Sequence, residues 1–378
     1  MKRNALFYAQ ELVAFDSVST RSNVAIIDYL QRVLDELGFE TERIDYVDPE
    51  GVPKANLVAK RGTGYGGLAY IGHTDVVPED NWSWKTGPFQ PEVFDGRLYG
   101  RGSCDMKGPI ACMLAAAERT IDRPFRAPIY FVLTADEEVG YRGAAEVATR
   151  SQLFREMVKH GTKGVIGEPT GLQVVYAHKG GVWLEAVSHG RAAHSSTTEG
   201  LNANLAMIPY LVEMKRLYDE TETSARWRNE EFDPPTVRWN IGINDFTRAV
   251  NMTPARSVCT VYFRPMPGQN AEELVERAKH AAERQGLEFR VRFSAPPFRV
   301  DPDSEYVRKM LELAGQQRPT TVAYGTDGAR LRELKQLVVC GPGNIAQAHT
   351  ADEWISLEQL EAGTATYVRF LEYWCGQS

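Results

Sequence analysis

The segment Pro128–Thr134 (PIYFVLT) is apolar almost throughout, with none of the in–out alternation of a half-exposed strand. A strand of that kind is stable when both faces are covered, which is the situation of a parallel sheet packed between helices. Shorter runs of the same character occur at Leu68–Ile71, Lys163–Ile166 and Leu337–Cys340. Segments with helical periodicity stand among them: residues 4–14, residues 22–38 (Val24, Ile27, Leu30, Val33, Leu34, Leu37, with Gly38 as a stop) and the small-residue stretch Lys107–Thr120. Strands alternating with helices describe an open α/β sheet, which binds ligands beyond the carboxyl ends of its strands. Those ends are polar here. His73 and Asp75 follow Ile71, Asp136-Glu137-Glu138 follow Thr134, and Glu168 follows Ile166.

With 378 residues the chain exceeds one comfortable core, so two domains are expected. After Tyr176 the pattern changes. Gly181–Ser188 alternates between two faces, followed by helix Asn202–Tyr218, strands Thr236–Ile243 and Ser257–Arg264, helix Ala271–Arg284 and strand Glu288–Phe293. This β-α-β-β-α-β order is a split βαβ sandwich. After Pro296 the earlier style returns: helix Ser304–Gln316, a short strand near Thr321, helix Gly328–Leu334 and C-terminal helix Leu357–Trp374. The expected organisation is therefore a mixed, mostly parallel sheet flanked by helices (residues 1–177 and 294–378), with an inserted α+β domain at 178–293.

Net charge is −7 with acids and bases interspersed, which gives no basic groove for nucleic acid. No apolar run approaches the ~20 residues needed to span a bilayer, and the amphipathic start lacks the apolar core of a signal peptide. Five scattered cysteines without CxxC spacing fit a reducing cytoplasm. In GTGYGG, Gly62, Gly64 and Gly67 match a dinucleotide fingerprint, but the segment leads into a strand rather than a helix, so a hairpin turn is expected. Pro78–Gly100, turn-rich and aromatic, is expected to be a covering loop.

Imidazoles and carboxylates thus gather at strand ends and adjoining loops: His73, Asp105 after the Gly100–Gly102 turn, Glu137 and Glu138, Glu168, and His349. Such a set would hold two divalent ions about 3.5–4 Å apart, bridged by one carboxylate. Of the adjacent Glu137 and Glu138, one can ligate while the other serves as general base. Asp75, two residues from His73, could fix the tautomer of that imidazole by accepting its second N–H.

The stretches GHTDVVP, YGRGSCDMKG, TADEEVG, GEPT, GRAAHSS and GPGNIAQAHTADEW, in this order, resemble the dinuclear zinc metallopeptidase family. That family includes acetylornithine deacetylase, succinyl-diaminopimelate desuccinylase, aminoacylase and carboxypeptidase G. The resemblance implies a zinc-exopeptidase-like catalytic domain and an inserted ferredoxin-like lid and dimerisation domain. It implies two zinc ions, with cobalt or manganese as substitutes: His73 and Glu168 on one, Glu138 and His349 on the other, and Asp105 bridging. It implies that Asp75 orients His73, that Glu137 is the general base, and that Asp105–Met106 is a cis peptide. His194 matches the histidine that stabilises the oxyanion. Asn251 and Arg264 match positions that grip a substrate carboxylate, and Gly325 and Thr326 lie in a loop lining the acyl pocket. His160, His178, His189 and His280 match nothing and are read as surface or packing residues.

The implied reaction is hydrolysis of an N-acyl amino acid or short peptide by a homodimeric enzyme. The YGTDGA loop and the segment around His349 lean toward the acetylornithine deacetylase branch. Desuccinylase and dipeptidase or carboxypeptidase activities share the same metal core and stay open, as does an inactive binding homologue.

Overall fold

The computed structural model describes residues 2–376. The chain divides into two compact units. The first comprises the chain through Ala177, Val300–Thr320 and the chain from Thr326 onward; the second comprises His178–Arg299 and Thr321–Gly325.

The first unit is built on a large mixed sheet. Its strands lie in the order Glu40–Val47, Pro53–Arg61, Ile129–Thr134, Leu68–His73, Lys163–Pro169, Leu337–Gly341 and Val175–His178. Leu68–His73 runs parallel to both its neighbours, and Leu337–Gly341 is parallel to Lys163–Pro169. Pro53–Arg61 pairs antiparallel with Ile129–Thr134 and with Glu40–Val47 at the edge. Leu68–His73 and Ile129–Thr134 are buried at every residue, as continuous apolar runs require. Helix Lys107–Arg119 is buried from Lys107 to Glu118 and packs against Ala5–Val13 and Leu357–Trp374. Its small residues let those helices approach closely.

Three expectations are corrected by the fold. The 62–67 segment does not close a hairpin, because Ile129–Thr134 lies between the two strands it joins. The turn instead passes close to the start of that strand. A Cβ on Gly67, at φ +74°, would meet the Pro128 carbonyl oxygen at 1.9 Å. The Pro78–Gly100 region is also more ordered than a covering loop. Glu92–Phe94 and Arg97–Tyr99 form a hairpin that Trp354–Ser356 joins as a third strand, with Trp84 stacked on Tyr99 at 3.6 Å. Only a short 3-10 turn, Asp327–Ala329, occupies the expected helix 328–334.

The second unit contains strand Gly181–His189, helix Ala203–Thr223, strands Arg238–Asn244 and Arg256–Arg264, helix Ala271–Arg284 and strand Glu288–Ala295. Its antiparallel sheet has the order Arg238–Asn244, Arg256–Arg264, Gly181–His189, Glu288–Ala295, that of a split βαβ sandwich. The unit runs past the expected 178–293 because Ala295 still pairs with Gly181. The Thr321 hydroxyl also donates to the Glu231 carbonyl at 2.6 Å. Among the described residues no helix is long and apolar enough to cross a membrane, and the five cysteines are free and buried.

Candidate metal centre

Three neighbouring parallel strands deliver the first side chains. His73 is the last residue of Leu68–His73, Glu168 stands near the end of Lys163–Pro169, and the turn after Ile129–Thr134 carries Glu137 and Glu138. Asp105 enters from the turn before helix Lys107–Arg119, and its peptide bond to Met106 is cis. His349 comes from the loop after the 3-10 turn Ile345–Gln347.

These residues form two groups that could hold a metal ion, His73–Asp105–Glu168 and Asp105–Glu138–His349, which share Asp105. His73 Nε2 lies 3.0 Å from Asp105 Oδ1 and 3.8 Å from Glu168 Oε1. His349 Nε2 lies 3.4 Å from Asp105 Oδ2 and 3.2 Å from Glu138 Oε1. Asp105 thus turns one oxygen to each group. Glu137 is buried, and among the described residues none makes a hydrogen bond or ion pair to its carboxylate.

The electrostatics are those of a site that wants cations. Burial, and then the neighbouring carboxylates, push Glu137 and Glu168 well above the ordinary carboxylate range and raise Glu138. Burial would raise Asp105 as well, but the hydrogen bonds of His349 and His73 outweigh it and hold the group below that range. Its bonds to Asp105 and Glu138 push His349 up to about 10. Acids crowded this closely are relieved by a divalent ion, which becomes the largest local charge. The donor atoms fit one. His73 Nδ1 is 2.9 Å from the Asp75 main-chain carbonyl, which can only accept. Nδ1 therefore keeps its proton, and Nε2, which donates to Asp105 here and faces Glu168, is the nitrogen that would ligate an ion on giving up its own proton. One imidazole nitrogen with two carboxylate oxygens per group suits zinc, cobalt or manganese.

The part expected of Asp75 is corrected in one respect. Its main-chain carbonyl, not its carboxylate, meets His73; the carboxylate oxygen is 3.8 Å away. The carboxylate instead accepts the main-chain N–H groups of Glu137 at 3.1 Å and Glu138 at 3.3 Å. Two N–H groups pointing the same way leave little choice for an acceptor, and a buried carboxylate satisfies both. Asp136, between Thr134 and this pair, has φ +56°. It forms an ion pair with buried Lys54 at 2.6 Å and accepts from the Tyr46 hydroxyl at 2.8 Å.

Several buried acids escaped sequence reasoning. Asp136 stands directly before Glu137 at the end of an apolar run, yet nothing in the sequence assigned it a part of its own. Asp327 accepts from the Thr134 hydroxyl at 2.6 Å, and burial pushes it up to about 6. Glu353 accepts main-chain N–H groups of the turn that bears Asp105. The motif letters TADEE, GTDGA and TADEW contained all three, but local pattern did not show which of their acids the fold would bury.

The remaining sequence-derived candidates are placed differently. His194, Asn251, Arg264 and Gly325 belong to the second unit, whereas Thr326 belongs to the first. Thr326 is fully buried, and its hydroxyl oxygen caps the Asp327–Ala329 turn by accepting from Gly328 N–H at 3.1 Å. His194 and Asn251 are exposed on paired loops, with Ser195 N–H donating to the Asn251 carbonyl at 2.9 Å. Arg264 is not with them. It ends the strand whose other end, Arg256, pairs with His189, and its guanidinium lies over the Tyr262 ring at 5.0 Å.

The family model described as peptidase family M20/M25/M40 matches residues 69–373. An acetylornithine deacetylase from Myxococcus xanthus is 36% identical over 97% of this chain and 96% of its own length. Among solved structures, an M20 family metallo-carboxypeptidase from Sulfolobus solfataricus superposes with a TM-score of 0.77 at 18% identity, covering 98% of this chain and 99% of that one. A dinuclear metal-binding M20 peptidase from Bacillus subtilis gives a TM-score of 0.64 at 15% identity, covering 97% and 96%. With its fold, its candidate metal centre and these matches in agreement, the chain belongs to peptidase family M20/M25/M40 and is a metal-dependent amidohydrolase.

Proposed function

We propose that the chain deacylates N-acyl amino acids, with N-acetylornithine as the leading substrate, using two divalent ions, zinc in the first instance. The observation that carries this reading is the pair of three-residue groups sharing Asp105, with the carboxylate of Glu137 unengaged beside them. The name of the 36% identical relative supports the substrate. His73 and Glu168 would hold one ion, Glu138 and His349 the other, and Asp105 both. When bound, the ions supply Lewis acidity toward water and the scissile carbonyl. Glu137, raised by burial, takes the proton from the attacking water and returns it to the leaving amine. Asp75, by holding the Glu137 and Glu138 N–H groups, keeps base and ligand pointing apart. His194 would donate to the oxyanion, Asn251 would bind the substrate carboxylate, and Gly325 and Thr326 would border the acyl group, whereas Arg264, at the opposite end of its strand from the Asn251 loop, is left out of that grip.

A cytoplasmic homodimer is part of the same reading. Leu205, Ile208 and Val212 on helix Ala203–Thr223 and Ile243 on the edge strand Arg238–Asn244 are each more than half exposed. A second copy would cover such a face, and free cysteines fit a reducing compartment.

The deciding experiment is an amide-hydrolysis panel with added zinc or cobalt. It offers N-acetylornithine, other N-acetyl amino acids, N-succinyl-diaminopimelate and dipeptides. Fastest turnover of N-acetylornithine supports the reading, and preference for a dipeptide moves the chain to the peptidase branch. Metal binding with turnover of none would make it an inactive binding homologue.

A further inference from the structure

One buried carboxylate ties the turn that bears Asp105 to the loop that bears His349. Glu353 lies four residues beyond His349 in the sequence and is 1% exposed. Its Oε1 accepts the main-chain N–H groups of Cys104 at 2.9 Å and Asp105 at 3.0 Å. Its Oε2 accepts that of Gly102 at 3.0 Å and a guanidinium N–H of buried Arg101 at 2.9 Å. The Glu353 carbonyl in turn accepts Gly100 N–H at 3.0 Å. The 100–106 turn belongs to no strand or helix, and Gly102 within it has φ +84°. The N–H groups of residues 102, 104 and 105 converge on one point only in a single backbone conformation. The anion at that point therefore selects the conformation, through charge-assisted bonds stronger than neutral ones.

We propose that Glu353 is the positioning residue for Asp105, and that it governs the Asp105–Glu138–His349 group more than the His73–Asp105–Glu168 group. The inference rests on the two-ion reading above. Its asymmetry follows from the fold. His73 and Glu168 stand on adjacent strands of the central sheet and keep their places without Glu353. Asp105 and His349 both stand on loops, and the seam between those loops is Glu353. Losing it loosens two of three members of one group and a single member of the other.

The test is a Co2+ titration of the metal-stripped full chain in competition with a chelator, reading the number of ions and the affinity of each. The wild-type chain is expected to bind two. In E353Q the amide oxygen can still accept, but the NH2 group faces N–H donors. One ion should lose about 10- to 100-fold in affinity, the usual effect of removing a group that orients a metal ligand, while the other loses much less. R101M is the control for a merely structural role. It breaks the same buried ion pair but leaves the three N–H bonds, so it should lower the melting temperature and leave both affinities unchanged. If E353Q does not fold, E353D, which keeps the charge but withdraws it by one methylene, should show the same selective loss. Unchanged affinities in the Glu353 variants, or equal losses in E353Q and R101M, would overturn the proposal. A wild-type chain that binds fewer than two ions overturns the two-ion reading itself, and is distinguished by that result.

Discussion

The loops around the metal centre and the paired loops of the second unit both present histidines, but they are built in opposite ways. Around the metal centre the buried acids Asp75, Asp136 and Glu353 are tied down. Asp75 accepts two main-chain N–H groups, Glu353 accepts three, and Asp136 is held by Lys54 and Tyr46. In the second unit His194 and Asn251 are exposed and joined through main-chain bonds, and the His194 ring meets the Ser196 hydroxyl at 2.7 Å. The difference matches what each region is proposed to do. Metal ligands must be held to within about 0.5 Å before the ion arrives, so their surroundings are over-determined. A donor to a transient oxyanion needs reach, and exposure gives it that.

The strongest test of the first region is Glu137→Gln. Turnover should fall about 10³- to 10⁴-fold, at or near the upper end of general acid–base effects, while metal content by elemental analysis stays at the wild-type value. Retained activity would remove the assigned base. Next comes Lys54→Met, which leaves the Asp136 carboxylate buried without its cation; Lys54 and Asp136 are 1% and 2% exposed. Breaking one side of such a pair should cost about 3 kcal/mol, read as a lower urea midpoint. Turnover should fall more than KM rises, because the turn that aims Glu137 loosens. A stability loss with unchanged turnover would make Lys54 a packing residue alone.

The sequence made these candidate ligands legible for a physical reason. His73, Glu138 and Glu168 stand at or just beyond the ends of apolar strand runs, and burial of the run fixes where its end emerges. The β-α-β-β-α-β order of the second unit was equally plain, because each of its strands alternates or ends at turn residues. Pairing across long separations was not legible. Nothing near Gly62–Gly67 says that a strand some sixty residues later will lie between its flanks. Nor could local pattern show that the Asp75 carboxylate serves Glu137 and Glu138 rather than His73, or that Glu353 is buried in a segment as polar as TADEW. Those facts depend on which main-chain N–H groups a fold leaves without partners.

For the second region, His194→Ala should lower turnover about 10²-fold, in the range for losing one oxyanion donor. Its exposure means that stability should stay within about 0.5 kcal/mol of wild type, and metal content should not change. Loss of bound metal in this variant would place His194 with the ligands and erase the contrast between the two regions.

The smallest effect concerns the one part of the second unit that is built like the first. His178 is buried and stacked on Phe298 at 5.3 Å, and its Nδ1 lies 2.8 Å from the Lys179 carbonyl. Burial pushes it down to about 4, whereas the unfolded chain titrates near 6.5. The folded state therefore binds fewer protons below pH 6.5, and stability attributable to this residue is full above that pH and falls as pH drops toward 4. Between pH 7 and pH 5 the loss should be about 2 kcal/mol. On acidification His178→Phe, which keeps the ring stack without the titrating group, should gain stability relative to wild type by that amount, read from urea midpoints, since every other group titrates alike in the two chains. Parallel pH profiles would show that the folded and unfolded chains protonate His178 alike, and would overturn its part as an acid-sensitive element of the core.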